Sequence, residues 1–335
     1  MKPSHFCLRV YNVGFGDCFL LRFQYPGQQR HVLIDFGSLG ASESLLLRIA
    51  HDIRRHSGDK LQAIVATHPH TDHINGFGGL PGSVIASCKP EVVVQPWTQR
   101  PGAPPDAMEF SNRAALNKLA GMGRHYYYVR HGSPSGLETV LPGVHVKVLG
   151  PPTLKQSRDV ARQRSKHPGE FWHLVPPHAR WLAGRLNRLA ARESLESFQL
   201  LDNAVNNSSV ILLFEAGRRK LLFPGDAQIE SWDYVLKKPQ LCRLLSEVDL
   251  YKVGHHGSLN ATPKSLWKLF SRRSAAPGPD RLITVLSTKP GKHGDPRRGT
   301  EVPRLKLVKE LVAQSRLINT QDFGSRLFQD IELIL

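Results

Sequence analysis

The stretch that decides the fold is ATHPHTDHINGFGGL, residues 66–80. It places three histidines and one aspartate within six consecutive positions, between an apolar run and a glycine cluster. These residues are His68, His70, Asp72 and His73. Four polar side chains so close together cannot all pack into an apolar core. Imidazole and carboxylate groups together suit zinc, and next manganese or iron, so the stretch predicts a metal-binding loop.

The spacing within the loop favours two ions. LQAIVAT, directly before the loop, has the pattern of a buried strand, so the ligands would lie at its carboxyl end. His68 and His70 are two residues apart in extended chain and can face the same ion. Asp72 and His73 follow on the next turn and can reach a second one. The alternative is a solvated turn that is histidine-rich by chance, which the fixed offsets of four ligand-type residues argue against.

Two later strand ends offer further ligands. LLFPGDA ends a strand at Asp226, and YKVGHHGS ends another at His255 and His256. Alone, such an aspartate is typical of a turn or helix cap, and such a histidine is typical of a hydrogen-bonded core residue. Beside the histidine-rich loop, they predict that Asp226 bridges two ions and that one of the two histidines completes the site.

The rest of the chain alternates strands with helices in two successive groups. FCLRVYNV, CFLLRF and HVLIDFG read as strands, Ser42 precedes a helix, and SVILLFEAGRRKLLFPGD reads as a hairpin turning at Gly217. This order predicts an α/β fold, an αββα sandwich with a mixed sheet in each half, as one domain over 1–335. Between 151 and 200 the strand pattern stops, and we expect a basic helical insertion there.

The composition is that of a soluble globular protein with a strong positive charge. The 335 residues are 40% hydrophobic and 22% charged, and 45 Lys+Arg against 28 Asp+Glu give a net charge of +17. Such an excess favours nucleic acid as the partner; the alternative is a basic surface kept for solubility. The four cysteines are far apart, which suits reduced core residues. Without an apolar signal core or a membrane-spanning stretch, we expect a cytoplasmic protein with no membrane partner.

These motifs resemble those of the metallo-β-lactamase superfamily. HPHTDH matches the HxHxDH motif, and Asp35 in LIDFGS matches the first acidic motif. Asp226 and the HHGS histidines match the later ligands in the expected order. The resemblance implies the metallo-β-lactamase fold and metal-dependent hydrolysis with two divalent ions, zinc first and manganese as the alternative.

Within the superfamily, the chain is most similar to the metallohydrolase domain of ComEC-type competence proteins. The shared motifs are VGFGD at 13–17, NNSS at 206–209 and HHGS at 255–258. A weaker match, STKPGKHGDP at 287–296, nominates His293 as a residue near the substrate. The membrane channel of those proteins is absent from this sequence, so the resemblance concerns the hydrolase domain.

Carried over residue by residue, the resemblance assigns roles to the candidate ligands. It implies His68 and His70 on the first metal, Asp72 and His73 on the second, Asp226 as the bridge, and His255 in preference to His256 on the second metal. Asp35 would orient the histidine loop by hydrogen bonds without touching metal. Asp17 has either a similar role or the role of capping a glycine turn.

One position departs from the family pattern. The superfamily usually has a histidine before the bridging-aspartate hairpin as the third ligand of the first metal, and here the segment reads DNAVNNSSV. Asn206 or Asn207 would replace it weakly, or His173 or His178 of the insertion would reach the site. We therefore expect the first metal to be held less tightly.

The function predicted from the sequence is a metal-dependent phosphodiesterase, a nuclease acting on DNA or RNA, with Asp72 also orienting the nucleophile. One alternative is a hydrolase of a small phosphodiester or another small-molecule ester. The other is a basic nucleic-acid-binding subunit whose hydrolase site has decayed. The sequence leaves the oligomeric state open.

Overall fold

Two β-sheets face each other, and helices cover the outer face of each. The computed structural model describes residues 1–101, 112–157, 205–258, 260–292, 294 and 301–335. The strands of the first sheet are β1 His5–Tyr11, β2 Cys18–Tyr25, β3 Gln28–Phe36, β4 Ala63–Val65, β5 Val92–Pro96, β6 His125–Val129 and β13 Phe328–Ile334. Those of the second are β7 Val144–Gly150, β8 Ile211–Ala216, β9 Arg219–Phe223, β10 Leu250–Lys252, β11 Ile283–Leu286 and β12 Arg316–Asn319.

Both sheets are mixed. Their strand orders are β13-β1-β2-β3-β4-β5-β6 and β12-β11-β10-β9-β8-β7. The helices of the described residues are α1 Glu43–His56, α2 Thr71–Ile74, α3 Gly79–Ser87, α4 Arg113–Leu119, α5 Leu137–Val140, α6 Ile229–Leu236, α7 Pro239–Ser246, α8 Lys264–Leu269 and α9 Leu305–Gln314. Among them, every helix is too short or too polar to cross a bilayer.

The alternation of side chains along the strands builds the layers. In β3, Val32 and Ile34 face the core between the sheets, while Leu33 and Phe36 pack under helices on the outer face. Strands buried on both faces read as continuous apolar runs, as they do here. A third apolar cluster joins the second sheet to its own helices, with Trp232 fully buried. The predicted αββα sandwich is thereby confirmed.

The last strand returns to the first sheet. β13 pairs antiparallel with β1, with Leu8 opposite Ile331. The sequence analysis assigned no element here, because a pairing over so long a separation has no local signal. The insertion predicted at 151–200 falls mainly on residues 158–204, which lie outside the described residues, so it stays a prediction. All four cysteines are free, and Cys7, Cys18 and Cys88 are buried.

Candidate metal centre

The candidate site lies where parallel strands of both sheets end. β3 runs parallel to β4, and β10 runs parallel to both β9 and β11. Because the carboxyl ends of parallel strands meet at one edge of a sheet, side chains distant in sequence come together there. The site residues at these ends are Asp35 in β3, Thr67 and His68 after β4, Asp226 after β9, Lys252 in β10 and Ser287 after β11.

Four of the predicted ligands form one buried cluster. The ligand atoms of Asp72, His73, Asp226 and His256 all lie within 4.8 Å of one another. The His256 Nε2 atom is 2.9 Å from Asp72 Oδ2 and 3.4 Å from Asp226 Oδ2. The His73 Nε2 atom is 3.0 Å from the same oxygen of Asp226. A single carboxylate oxygen thus faces two imidazoles, as a bridging ligand would.

Two further predicted ligands form a pair beside this cluster. His68 Nε2 lies 3.0 Å from His70 Nδ1, and the His68 ring centroid is 4.1 Å from that of His73. Two nitrogens on one tetrahedral zinc are about 3.3 Å apart, since zinc–nitrogen bonds are about 2.0 Å long. The spacing of this pair therefore fits two ligands of one ion.

Hydrogen bonds from outside the cluster orient its imidazoles. The Asp35 Oδ2 atom accepts from His73 Nδ1 at 2.8 Å and from the Thr67 hydroxyl at 2.7 Å. Its Oδ1 atom accepts from the Thr67 N–H at 2.7 Å. His256 Nδ1 likewise lies 2.9 Å from the carbonyl oxygen of Ser287. With both Nδ1 atoms donating, both Nε2 atoms face the cluster, where they would bind metal once deprotonated.

The electrostatics of the centre fit divalent cations. It buries four carboxylates and one ammonium, namely Asp17, Asp35, Asp72, Asp226 and Lys252. Burial favours the neutral form of Asp226, but His73, Lys252 and His256 hold the pKa of that carboxyl well below its usual value. Burial likewise opposes charge on His73, yet the pKa of its imidazole is raised well above its usual value by Asp226 and Asp35. The attraction that draws protons to these rings would also hold metal ions.

When the imidazoles are neutral, as they must be to bind metal, four carboxylates and one ammonium leave three buried negative charges (four minus one). Such an excess is costly in a water-poor interior unless cations balance it. The donor set therefore fits one or two divalent metals.

Lys252 is a member of the centre that the sequence analysis missed. Its side chain is 2% exposed, forms an ion pair with Asp17, and places Nζ 3.2 Å from Asp226 Oδ1 and 3.1 Å from the Gly225 carbonyl. The available signal was a lysine inside the otherwise buried strand YKV, where a charge is rare without a partner. Because Lys252 contacts Oδ1 of Asp226, only Oδ2 faces the imidazoles of His73 and His256.

The structure places His256 in the cluster, whereas the sequence analysis preferred His255. His256 is fully buried in the cluster, whereas His255 places its Nδ1 atom 3.4 Å from the Gln228 amide nitrogen. Both residues adopt left-handed backbone angles, with φ of 46° and 51°. The sharp turn redirects the chain after the strand, so the His256 side chain points into the cluster. The backbone N–H of His255 donates to Asp226 Oδ1 at 3.0 Å.

Two glycines allow the metal-binding loop to approach the first sheet. A Cβ on Gly37 would lie 2.5 Å from the His73 backbone nitrogen, and one on Gly16 would lie 2.7 Å from the Asp72 carbonyl oxygen. Because real Cβ atoms do not approach that closely, only glycine permits this packing. The glycines of VGFGD and DFGS therefore let the backbone of the metal-binding loop pack closely against the first sheet.

The third ligand of the first metal stays open. Both ends of the Asn207 amide are already hydrogen-bonded. Its nitrogen donates to Glu230 at 2.8 Å, and its oxygen accepts from the Gln228 N–H at 3.2 Å. Asn206 is fully buried in the segment that precedes β8. That segment lies against the metal loop, because the Val210 N–H donates to the Thr67 carbonyl at 2.9 Å. The other nominated residues, His173, His178 and His293, lie outside the described residues.

The comparison with protein families shows the family of this chain. The family model described as "Metallo-beta-lactamase superfamily" matches residues 11–179. No curated protein matches the chain. The metallo-β-lactamase fold protein YhfI from Bacillus subtilis aligns with 98% of this chain and 100% of its own, at 11% identity and a TM-score of 0.44. CmlA, a diiron β-hydroxylase from Streptomyces venezuelae, aligns with 99% of this chain and 55% of its own, at 16% identity and a TM-score of 0.39. At these identities and scores, neither alignment carries an argument.

Proposed function

Because this chain belongs to the metallo-β-lactamase superfamily, a superfamily of metal-dependent hydrolases, we propose that it is a phosphodiesterase that cleaves DNA or RNA. The observation that carries the proposal is the buried cluster of two carboxylates and two imidazoles beside the His68–His70 pair. The net charge of +17 supports a polyanionic substrate over a neutral one. A cytoplasmic location and a nucleic-acid partner are part of this proposal.

The residues that would hold the metals divide into two sets. His68 and His70 would hold the first, and Asp72, His73 and His256 the second, with Asp226 between them. Nitrogen and carboxylate donors favour zinc, and manganese is the alternative. Divalent ions in such a site supply a hydroxide nucleophile at neutral pH and neutralise charge on the leaving oxygen.

Asp72 is the carboxylate best placed to meet substrate. Its side chain is 11% exposed, whereas those of Asp17, Asp35 and Asp226 are each 1% exposed. One of its oxygens contacts His256 at 2.9 Å. The partly accessible carboxylate can accept a hydrogen bond from an attacking water and so direct it towards phosphorus.

The other residues of the centre hold their neighbours in place. Asp35 fixes the His73 ring, and the carbonyl of Ser287 fixes the His256 ring. Lys252 holds Asp226 by one oxygen. Such an arrangement keeps the donors in position before substrate arrives, so little reorganisation is needed during the reaction.

The contacts between motif segments support the finer likeness to ComEC-type metallohydrolase domains. The Asp17 N–H of VGFGD donates to the Asp72 carbonyl at 2.9 Å. The Ser209 hydroxyl of NNSS accepts from the Asp226 N–H at 3.1 Å. The HHGS segment contributes His256. Three motifs far apart in sequence thus meet at one centre, which explains why they occur together in the chain.

The test is cleavage of labelled single- and double-stranded DNA and RNA with Zn²⁺, Mn²⁺ or chelator. The Asp72→Ala and His73→Ala variants are assayed in parallel. We expect metal-dependent cleavage of at least one polynucleotide by the unmodified protein and a loss of at least about a hundredfold in each variant. His255→Ala is the matched control, since it removes an imidazole adjacent to the cluster.

Two outcomes would replace the proposal. Turnover of a small chromogenic phosphodiester with no cleavage of any polynucleotide would favour the small-molecule hydrolase. Binding of nucleic acid without bound transition metal and without turnover of either substrate would favour a binding subunit with a decayed site. Cleavage that survives chelator and both substitutions would show that the cluster is not the catalytic centre.

A further inference from the structure

A positively charged cavity of about 470 Å³ lies beside the candidate metal centre. Four cationic side chains line it: Arg48 from α1, Lys289 and Lys292 from the segment after β11, and Arg326 from the segment before β13. None of the described residues that line it is an aspartate or glutamate. The fold therefore concentrates positive charge here from segments that are far apart in sequence.

Most of these cations have no carboxylate partner among the described residues. Within the part of the chain that the structure describes, no ion pair involves Arg48, Lys289 or Lys292. Arg326 donates to backbone carbonyls, including that of Asp322 at 3.2 Å. Like charges gathered in a concave site repel one another, so the arrangement is stabilised when an anion enters.

The start of a helix adds to this field. Ser42, the N-cap of the 14-residue helix α1, lines the cavity. The positive end of the helix dipole therefore faces the same space as the four cations.

The cavity adjoins the metal centre directly. Phe15 lines the cavity, and its ring centroid is 4.4 Å from that of His256. Lys289 follows two residues after Ser287, whose carbonyl oxygen lies 2.9 Å from His256 Nδ1. One aromatic ring thus lies between the cavity and His256 of the metal centre.

We propose that this cavity binds a phosphate of the substrate strand next to the one that is cleaved. The inference rests on the proposed function, since it presumes a polynucleotide as substrate. Lys289 and Lys292 contribute charge to a backbone phosphate, and Arg48 and Arg326 offer guanidinium groups that can grip its oxygens. Because the contacts are to the backbone, this site gives affinity and position without base preference.

The test is the salt dependence of binding by the metal-loaded protein. The probe is a short fluorescent single-stranded oligonucleotide with phosphorothioate linkages, which keep the backbone charge and resist hydrolysis. Anisotropy gives the dissociation constant between about 50 and 200 mM salt. The Lys289→Gln/Lys292→Gln variant is compared with Lys268→Gln/Lys309→Gln, which removes the same charge from exposed lysines outside the cavity lining.

The expected result follows from counterion release. Losing the contact with this one phosphate lowers the slope of log affinity against log salt by about 0.7 for a single strand. This corresponds to about 5-fold weaker binding at about 0.1 M salt. We expect the control pair to keep the slope and affinity of the unmodified protein.

The remaining outcomes test this inference and the proposed function separately. Equal losses in both lysine pairs would show general charge attraction and would overturn the cavity as a site. Displacement of the oligonucleotide by equimolar inorganic phosphate would overturn it in favour of a small-anion site. If binding depends on the cavity lysines but an unmodified oligonucleotide is never cleaved, the cavity stands as a site for a backbone phosphate, and the proposed nuclease activity fails. If no oligonucleotide binds, the inference fails, and hydrolysis of a small diester still tests the reaction.

Discussion

Replacing Lys252 by methionine tests whether its buried ammonium stabilises the carboxylates of the metal centre. Its Nζ atom contacts Asp17 and lies 3.2 Å from Asp226 Oδ1, and all three side chains are at most 2% exposed. Lys252→Met keeps the length of the side chain and leaves both carboxylates buried without the ammonium. Breaking a buried ion pair in this way costs about 3–5 kcal/mol. We expect that loss in the free energy of unfolding at neutral pH in the presence of chelator.

The assay is urea unfolding followed by circular dichroism, with a surface ion pair as the control. Lys220 pairs with Glu247, whose side chain is 61% exposed, so Lys220→Met is expected to cost at most about 1 kcal/mol. Adding Asp17→Asn to Lys252→Met removes one of the stranded charges and should restore part of the loss. If Lys252→Met costs no more than Lys220→Met, the reasoning about the buried charges is refuted.

Three further predictions concern the ligands, the loop and acid stability. His256→Ala should lose about one metal equivalent per chain by elemental analysis, while His255→Ala keeps its metal; the reverse result would contradict the assignment. Gly37→Ala, which forces a Cβ into the metal loop, should destabilise by about 1–3 kcal/mol or more and weaken metal binding, whereas Gly278→Ala, with nothing within 4 Å, should be nearly neutral. Burial and nearby cations lower the pKa of His31 to about 4 from 6.5, so the unfolded state binds more protons between these values and stability falls on acidification. The chelated protein should therefore lose about 2 kcal/mol more than His31→Gln between about pH 7 and pH 4.5, and equal acid losses would contradict this.

The layered fold was predictable because its signals are local. Alternating apolar runs, the Ser42 helix cap and the hairpin glycine at 217 each depend on a few neighbouring residues. The return of β13 to β1 depends on a pairing between the two ends of the chain, which leaves no local pattern. Predicting it would require the tertiary fold itself.

The grouping of the candidate ligands was predictable for the same reason, and the sequence analysis departs from the structure where tertiary geometry decides. The offsets of His68, His70, Asp72 and His73 are a property of one loop. The choice between His255 and His256 depends on two consecutive left-handed residues, which histidine adopts only where the surroundings impose it. The role of Lys252 depends on carboxylates brought from two other segments, although a lysine in a buried strand was a visible signal.

The most direct test of the central claim is a metal titration of phosphodiester cleavage. The protein is stripped with chelator, Zn²⁺ or Mn²⁺ is added in steps, and the initial rate on a labelled single-stranded oligonucleotide is measured at each step. The account predicts no cleavage by the stripped protein and a rate that rises with metal up to about two equivalents per chain. Cleavage in the stripped protein, or none at any metal concentration on DNA or RNA, would contradict it.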